Sequence, residues 1–138
     1  PPNVHIERYI PHTLLLPYCD AVITHGGFGS VMACFEEGLP MVAIPLAGGD
    51  QAGNARRCAA LGVARVVPSD ERTPEAIREA VLDVLRDPRY RKNVEHLQRQ
   101  IQTLPEPEHA VELLEGLPLE RAPLADTSQR TERRYERA

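Results

Sequence analysis

The feature that most constrains the fold of this chain is a series of short apolar runs separated by longer segments of helical pattern. The runs that resemble strands are residues 4–6, 21–24, 41–44 and 64–67. Because these runs are continuously apolar rather than alternating, each strand is expected to be buried on both faces, as in a parallel sheet covered by helices. The sequence therefore predicts an α/β fold with a doubly wound parallel sheet.

The spacing of apolar residues between and after these runs predicts helices with recognisable starts and ends. Helices are expected at about residues 12–18, 29–37, 51–61, 74–86, 88–103 and 108–115. Gly38 and Gly62 follow two of them, at positions where a left-handed residue commonly ends a helix. Thr73 and Asp87 each precede a proline, so both are expected to cap the helix that follows.

Length, charge and cysteine content limit the classes of protein to which the chain can belong. With 138 residues and a net charge of -4, it is expected to form one domain without a general basic surface for nucleic acid. No apolar run approaches the roughly 20 residues that cross a membrane. Cys19, Cys34 and Cys58 contain no C-x-x-C pair, so neither a disulfide framework nor a zinc site is expected. A reducing, cytoplasmic location fits this composition.

The two ends of the chain carry less structural signal. The start, Pro1-Pro2-Asn3, has neither an initiator Met nor a signal-peptide pattern, so we expect a fragment whose domain is truncated at its start. The predicted strand at residues 4–6 would then be an open edge, available for self-association or a partner. Residues 117–138 lack a consistent helical face, which favours a flexible tail after a domain of residues 1–116.

The most informative motif, Thr-His-Gly-Gly-Phe-Gly-Ser at residues 24–30, joins a predicted strand to a predicted helix. Ligands of parallel sheets bind beyond the carboxyl ends of strands, and the free amides at a helix start attract anions. The glycines allow a phosphate to approach the backbone, while His25 and Ser30 can add side-chain donors. A tight turn in which glycine serves geometry and His25 packs or caps explains the same residues, and both interpretations stay open.

Three familiar phosphate or acyl motifs do not match this loop. A dinucleotide fingerprint needs a third glycine where this chain has Met32, and a P-loop needs lysine where it has Gly29. The nucleophile elbow of serine hydrolases fails at Met32 as well, which argues against Ser30 as a nucleophile. If the loop binds a phosphate group, it does so by a motif other than these three.

A second polar pair follows the next predicted strand. Asp50 and Gln51 stand after two glycines at the start of the helix predicted for residues 51–61. A carboxylate that accepts and an amide that both donates and accepts complement the hydroxyls of a sugar ring. Asp50 could equally serve only as the cap of that helix.

Four motifs within residues 8–67 jointly resemble the nucleotide-sugar-binding signature of UDP-glycosyltransferases, particularly bacterial macrolide-type enzymes with the GT-B fold. They are P-x-x-x-L-L-P-x-C-D from Pro11, H-G-G-x-G-S from His25, E-G-L-P from Glu37 and D-Q-x-x-N-A from Asp50. The resemblance implies a Rossmann-like, carboxyl-terminal donor-binding domain. Such enzymes transfer a hexose from a UDP- or TDP-sugar to an acceptor hydroxyl, and neither a metal nor another cofactor is implied.

The resemblance also implies which residues touch the donor. The diphosphate contacts fall on His25 and on the amides near Gly27, Gly29 and Ser30; the sugar contacts fall on Asp50 and Gln51; the nucleobase is bordered by Tyr9 and Ile10. Many relatives carry a ribose-binding Glu where this chain has Ala33, so no ribose ligand is assigned.

The matched segment corresponds to the latter part of the second of two domains in this family. The small-molecule acceptor and the histidine that activates its hydroxyl belong to the first domain, so no catalytic residue is assigned in this chain. The acceptor would be reached through an amino-terminal domain or subunit. The alternative is a noncatalytic nucleotide-sugar-binding module or a degenerate remnant.

Overall fold

The computed structural model describes residues 1–46, 49–105 and 107–117, and the chain divides into two units after Leu104. The first unit holds nearly all the described elements, and the described part of the second contains one helix. In chain order the elements are α1 (His12–Leu15), a 3₁₀ turn (Leu16–Tyr18), β1 (Val22–Thr24), α2 (Phe28–Glu36), β2 (Met41–Ala43), α3 (Gln51–Ala60), β3 (Ala64–Val66), α4 (Pro74–Arg86), α5 (Pro88–Gln102) and α6 (Pro107–Glu115).

The three strands form a parallel sheet in the order β1-β2-β3. Val22 pairs with Met41, and Met41 pairs with Ala64, so the three strands begin at the same level. The carboxyl ends therefore lie together at one side of the sheet, which we call the carboxyl edge. The loops that lead into the strands lie at the opposite side, the amino edge.

Both faces of the central strand β2 are covered. Met41 packs with Cys34 of α2, Cys58 of α3 and Val94 of α5 in one buried cluster. The next residue along the strand belongs to a second cluster, whose buried members are Val42, Ile44, Val67, Ala80 and Val84. Because neighbouring strand residues point to opposite faces, the two clusters are two layers of helices around one sheet. The predicted doubly wound α/β fold is confirmed.

The predicted helix caps are also confirmed. The hydroxyl of Thr73 accepts a hydrogen bond from the amide of Ala76 at 3.1 Å, and the carboxylate of Asp87 accepts one from the amide of Arg89 at 2.9 Å. The Arg89 guanidinium pairs with the same carboxylate and, together with that amide, lowers the pKa of Asp87. These start signals are local in sequence, which is why they could be recognised without the fold.

The amino edge is held together by side chains of α5. The guanidinium of Arg91 donates to the carbonyls of Asp20 at 2.7 Å and Gly38 at 3.2 Å. The side-chain amide of Asn93 donates to the carbonyl of Gly62 at 3.1 Å. Asp20, Gly38 and Gly62 lie in the loops before β1, β2 and β3, so one helix satisfies carbonyls in all three loops.

The prediction of a strand at residues 4–6 is wrong. Val4 donates its amide to the carbonyl of Pro1 at 3.1 Å, and the side chain of Ile6 is 85% exposed. The segment pairs with no strand among the described residues, because two apolar residues without a neighbouring strand cannot form a ladder. Residues 4–6 are therefore not an open edge of the described sheet, and the self-association predicted through that edge is not supported.

Two other predictions concern the tail of the chain and membrane-spanning helices. The flexible tail predicted for residues 117–138 lies outside the described residues except for Leu117, so the domain boundary stays a prediction. None of the described helices is both long and apolar enough to cross a membrane.

Candidate functional site

The glycine loop joins the end of β1 to the start of α2 at the carboxyl edge. Gly26 has a φ of +83°, a left-handed conformation that side chains disfavour. Its amide donates to the buried hydroxyl of Thr24 at 3.2 Å, and a Cβ atom at this position would lie 3.1 Å from the carbonyl oxygen of Gln51. Gly26 is therefore required by the turn itself, as the geometric interpretation of the motif expected.

Three backbone amides at the start of α2 have no partner within the helix. The first helical hydrogen bond runs from the amide of Val31 to the carbonyl of Gly27, and no side chain caps the helix. Within the described residues, the amides of Phe28, Gly29 and Ser30 are thus open donors. A Cβ atom at Gly29 would have no atom within 4 Å outside its immediate helical surroundings. The backbone at Gly29 is therefore accessible to an anion. Unlike the positive φ of Gly26, this accessibility is not needed to form the turn.

His25 stands beside this helix start. Its side chain is exposed, and a Cβ atom at position 27 would lie 2.5 Å from Nε2 of His25. Glycine at position 27 therefore leaves room for the imidazole ring. His25 and Ser30 line the same cavity, so the structure brings these two predicted residues together.

The second predicted loop lies against the first. The carboxylate of Asp50 makes no capping hydrogen bond; its Oδ2 instead accepts from the side-chain amide of Asn54 at 2.8 Å. Oε1 of Gln51 accepts from the amide of Leu46 at 3.0 Å. Among the described residues, the other carboxylate oxygen of Asp50 and Nε2 of Gln51 have no partner. The geometry does not support the simple cap as the role of Asp50.

Asn54 connects the two loops, and the sequence interpretation missed it. Its Nδ2 donates to the carbonyl of Gly26 at 3.0 Å as well as to Asp50. The signal was present in the D-Q-x-x-N-A motif, because Asn54 follows Asp50 by four residues, which places both on one helix face.

A cavity of about 440 Å³ opens at the carboxyl edge. Its polar lining includes Thr24, His25 and Ser30, and Ile44 and Leu46 contribute apolar surface. The described side chains that line it include no Asp or Glu. An anion therefore meets donors and no lining carboxylate.

Two basic side chains of this lining were not predicted. Arg72 comes from the loop between β3 and α4, and His12 comes from α1. Arg72 has no distinctive sequence motif, but its loop follows a strand of the same parallel sheet and so reaches the same edge. The topology could have identified it.

Cys34 also lines the cavity, but its chemistry is that of a core residue. Burial raises the pKa of its thiol to about 12, with smaller contributions from the nearby Cys58 and Cys19 thiols. The group therefore stays protonated near neutral pH, where the thiolate is the nucleophilic form. Cys34 is a packing residue of the cavity wall.

The nucleobase residues stand apart from the cavity lining. The side chain of Tyr9 is 81% exposed, Ile10 is half-buried, and neither lines the cavity. Gly27, Gly29, Asp50 and Gln51 also do not contribute to its lining. The roles assigned to these residues stay predictions.

The sequence of the chain matches a known protein family. Residues 1–117 match the family model described as "Erythromycin biosynthesis protein CIII-like, C-terminal domain". The chain is 35% identical over 117 residues to 4'-demethylrebeccamycin synthase of Lentzea aerocolonigenes, with 85% of this chain and 28% of that protein covered. It is 34% identical to 3-alpha-mycarosylerythronolide B desosaminyl transferase of Saccharopolyspora erythraea, with the same coverage.

Solved structures agree. The glycosyltransferase VinC in complex with DTDP superposes with a TM-score of 0.78 at 29% identity, with 83% of this chain and 29% of that chain covered. The calicheamicin glycosyltransferase CalG4 superposes at 0.76 with 35% identity, with 83% and 30% covered. The chain spans less than a third of the length of these relatives. It belongs to the erythromycin biosynthesis protein CIII-like C-terminal domain family, the carboxyl-terminal domains of GT-B glycosyltransferases.

Proposed function

We propose that this chain binds the donor of a glycosyltransferase, a UDP- or TDP-hexose, and takes part in hexosyl transfer when an acceptor domain completes it. The observation that carries the proposal is the start of α2, where three amides with no partner among the described residues adjoin a cavity lined by His25 and Ser30. Family membership supplies the reaction class, and the loop supplies a reason for phosphate to bind here.

The diphosphate is proposed to sit over residues 25–30. Open amides and the positive end of the helix dipole favour an anion at the start of α2. His25 adds a side-chain donor, and no metal ion is part of the proposal. A charge-assisted contact from this ring is worth about 1–3 kcal/mol.

The hexose is proposed to contact Asp50 and Gln51. Each keeps polar atoms without a partner among the described residues, while its other atoms are held by Asn54 and by the amide of Leu46. Held acceptors and donors of this kind suit sugar hydroxyls, since their orientation is set before the ligand arrives.

The nucleobase is proposed to lie near Tyr9 and Ile10, which the family motif assigns. The exposed ring of Tyr9 has a face available for stacking. The solved relatives VinC and the spinosyn rhamnosyltransferase SpnG are described in complex with DTDP and thymidine diphosphate. A thymidine or uridine diphosphate is therefore the ligand to try first.

In the proposed reaction, the acceptor oxygen forms a bond to the anomeric carbon as the bond from that carbon to the diphosphate breaks. The acceptor proton goes to a base outside this chain. His25 and the α2 amides stabilise the charge that develops on the departing diphosphate. A cytoplasmic location is part of the same proposal, and the free buried thiols of Cys34 and Cys58 suit a reducing compartment.

The first experiment is calorimetric titration of the chain with UDP, TDP and their glucose conjugates. We expect saturable binding by at least one series, weakened by about 1–3 kcal/mol in His25→Ala. His96→Ala, which removes an exposed histidine of α5, is the matched control and should bind normally. Unchanged affinity in a folded His25→Ala variant would remove His25 from the site.

The second experiment asks whether the chain is a catalytic half or a binding module. The purified chain alone should not transfer sugar at an enzyme-like rate, because acceptor positioning and a general base contribute about 7–11 kcal/mol and 10²- to 10⁴-fold. Assays with a panel of acceptor alcohols are run with and without a separately expressed amino-terminal acceptor domain. Turnover in the mixture supports a catalytic half, and donor binding without it favours the noncatalytic module. Robust turnover by the chain alone would refute the argument.

A further inference from the structure

Asn54 contacts both candidate subsites, the glycine loop proposed to bind the diphosphate and Asp50, which is proposed to bind the sugar. Among the described residues, it is the one side chain that hydrogen bonds to both loops: Nδ2 donates to the carbonyl of Gly26 at 3.0 Å and to Oδ2 of Asp50 at 2.8 Å. The two hydrogens of a side-chain amide nitrogen are enough for these two bonds. Asn54 is also partly buried between them.

On the diphosphate side, Asn54 holds the peptide that leads into the open amides. Gly26 is in the left-handed conformation, its amide is bound by Thr24 and its carbonyl by Asn54. Gly27 and Phe28 follow at the start of α2, whose first amides have no partner in the described part of the chain. Loss of the Asn54 contact therefore frees one side of this turn.

On the sugar side, Asn54 sets the carboxylate of Asp50. A bond to one oxygen fixes the rotation of the group and leaves the other oxygen without a partner among the described residues. Because Asp50 makes no capping bond to the helix, Asn54 is its only side-chain restraint in the described part of the chain.

We propose that Asn54 is a positioning residue that couples the two subsites, so that diphosphate held by the glycine loop favours hexose binding at Asp50, and the reverse. The inference rests on the proposed donor-binding function. Coupling of this kind must be reciprocal, and it typically changes affinity by about 5- to 150-fold. Its signature is a change in the ratio of nucleotide-sugar to nucleotide affinity, which a purely structural residue would leave alone.

The chain contains a matched control at the other end of the sheet. Asn93 also donates its side-chain amide to the carbonyl of a left-handed glycine, Gly62, with a φ of +67° and a distance of 3.1 Å. Asn93→Ala removes the same kind of bond without touching either loop of the proposed site. Both variants lose a hydrogen bond to the carbonyl of a left-handed glycine, but only Asn54→Ala is expected to lose the coupling. Comparison of the two therefore separates these effects.

The test measures the affinities of UDP, TDP and their glucose conjugates by calorimetry, with urea unfolding, for the wild type, Asn54→Ala and Asn93→Ala. We expect Asn54→Ala to lower the ratio of sugar-nucleotide to nucleotide affinity about five- to tenfold, and Asn93→Ala to leave it unchanged. In an Asp50→Ala background, Asn54→Ala should no longer change the ratio. A lowered stability with an unchanged ratio would overturn the coupling role.

The near-isosteric Asn54→Leu, which keeps the approximate shape and removes both donors without adding a charge beside Asp50, replaces Asn54→Ala if that variant does not fold. If neither folds while Asn93→Ala does, Asn54 is a structural residue and the inference is overturned. If the wild type binds a nucleotide and its glucose conjugate in at least one series but the ratio does not depend on Asn54, only the coupling fails. If the wild type binds none of them, the proposed function fails and the coupling fails with it.

Discussion

The amino and carboxyl edges of the sheet use similar residues for different ends. Both contain left-handed glycines, Gly38 and Gly62 at the amino edge and Gly26 and Gly49 at the carboxyl edge. At the amino edge, the side chains of α5 bind the carbonyls of the loops before all three strands. At the carboxyl edge, the amides that start α2 have no partner in residues 1–46, 49–105 and 107–117, and they lie beside a cavity of about 440 Å³.

The difference shows that a left-handed glycine alone does not identify a functional loop. The informative feature is the set of helix-start amides left open beside a cavity, because such amides attract anions. The amino edge is expected to contribute stability, and the carboxyl edge is expected to contribute binding. Substitutions at the two edges should therefore separate these two properties.

The largest effect is expected from Met41→Ala. Met41 starts β2 and is fully buried, and truncation of a core methionine to alanine costs about 2–5 kcal/mol. Urea unfolding should show this loss, while nucleotide affinity per folded molecule stays the same. A comparable loss of affinity in the folded fraction would show that the two edges are not separable.

The next effect concerns the α5 contacts. Arg91→Ala removes a charged donor from two loop carbonyls, which should lower the free energy of unfolding by about 1.5–3 kcal/mol. Lys92→Ala, at the exposed neighbouring position, is the control and should change it little. Equal values for both variants would mean that α5 does not secure the amino edge.

At the carboxyl edge, Asp50→Asn and Gln51→Ala should weaken a UDP-hexose or TDP-hexose much more than the bare nucleotide. Each lost hydrogen bond to the sugar is worth about 0.5–1.5 kcal/mol, and more where the carboxylate charge takes part. Calorimetry with both ligands measures the difference, with Glu79→Gln on the exposed face of α4 as the control. An equal loss for both ligands would assign these residues to folding rather than to sugar binding.

The smallest change in stability, and the sharpest contrast, is expected from Gly29→Ala. Its Cβ would meet open space, and alanine in place of an exposed helical glycine stabilises by about 0.5–1 kcal/mol. Diphosphate affinity should nevertheless fall, because a methyl group would stand where the phosphate approaches the backbone. Gly53→Ala, also unobstructed on α3, should stabilise without loss of affinity. A Gly29→Ala variant with normal affinity would place the phosphate elsewhere.

The sequence could predict what depends on local or periodic signals. The continuous apolar runs predicted the parallel sheet, and the caps at Thr73 and Asp87 depend on residues only two or three positions away. The two candidate loops were identified because strands of a parallel sheet end at one edge. The strand at residues 4–6 failed because a strand needs a neighbour that the pattern does not show.

Contacts between distant residues could not be read from the pattern. Arg91 reaches Asp20 across 71 positions, and Asn54 reaches Gly26 across 28. Arg72 reaches the cavity because β3 and β1 end at the same edge. These side chains follow no periodic rule, and their roles emerge from the order of the strands.

The most direct test of the central claim is an NMR titration of the ¹⁵N-labelled chain with UDP and with TDP. If the carboxyl edge binds the diphosphate, the backbone amides of Phe28, Gly29 and Ser30 should show saturable shifts larger than those of Gly38 and Gly62. Those two glycines report on the amino edge in the same spectra. The account would be contradicted if neither nucleotide showed saturable binding, or if the shifts were centred on Gly38 and Gly62.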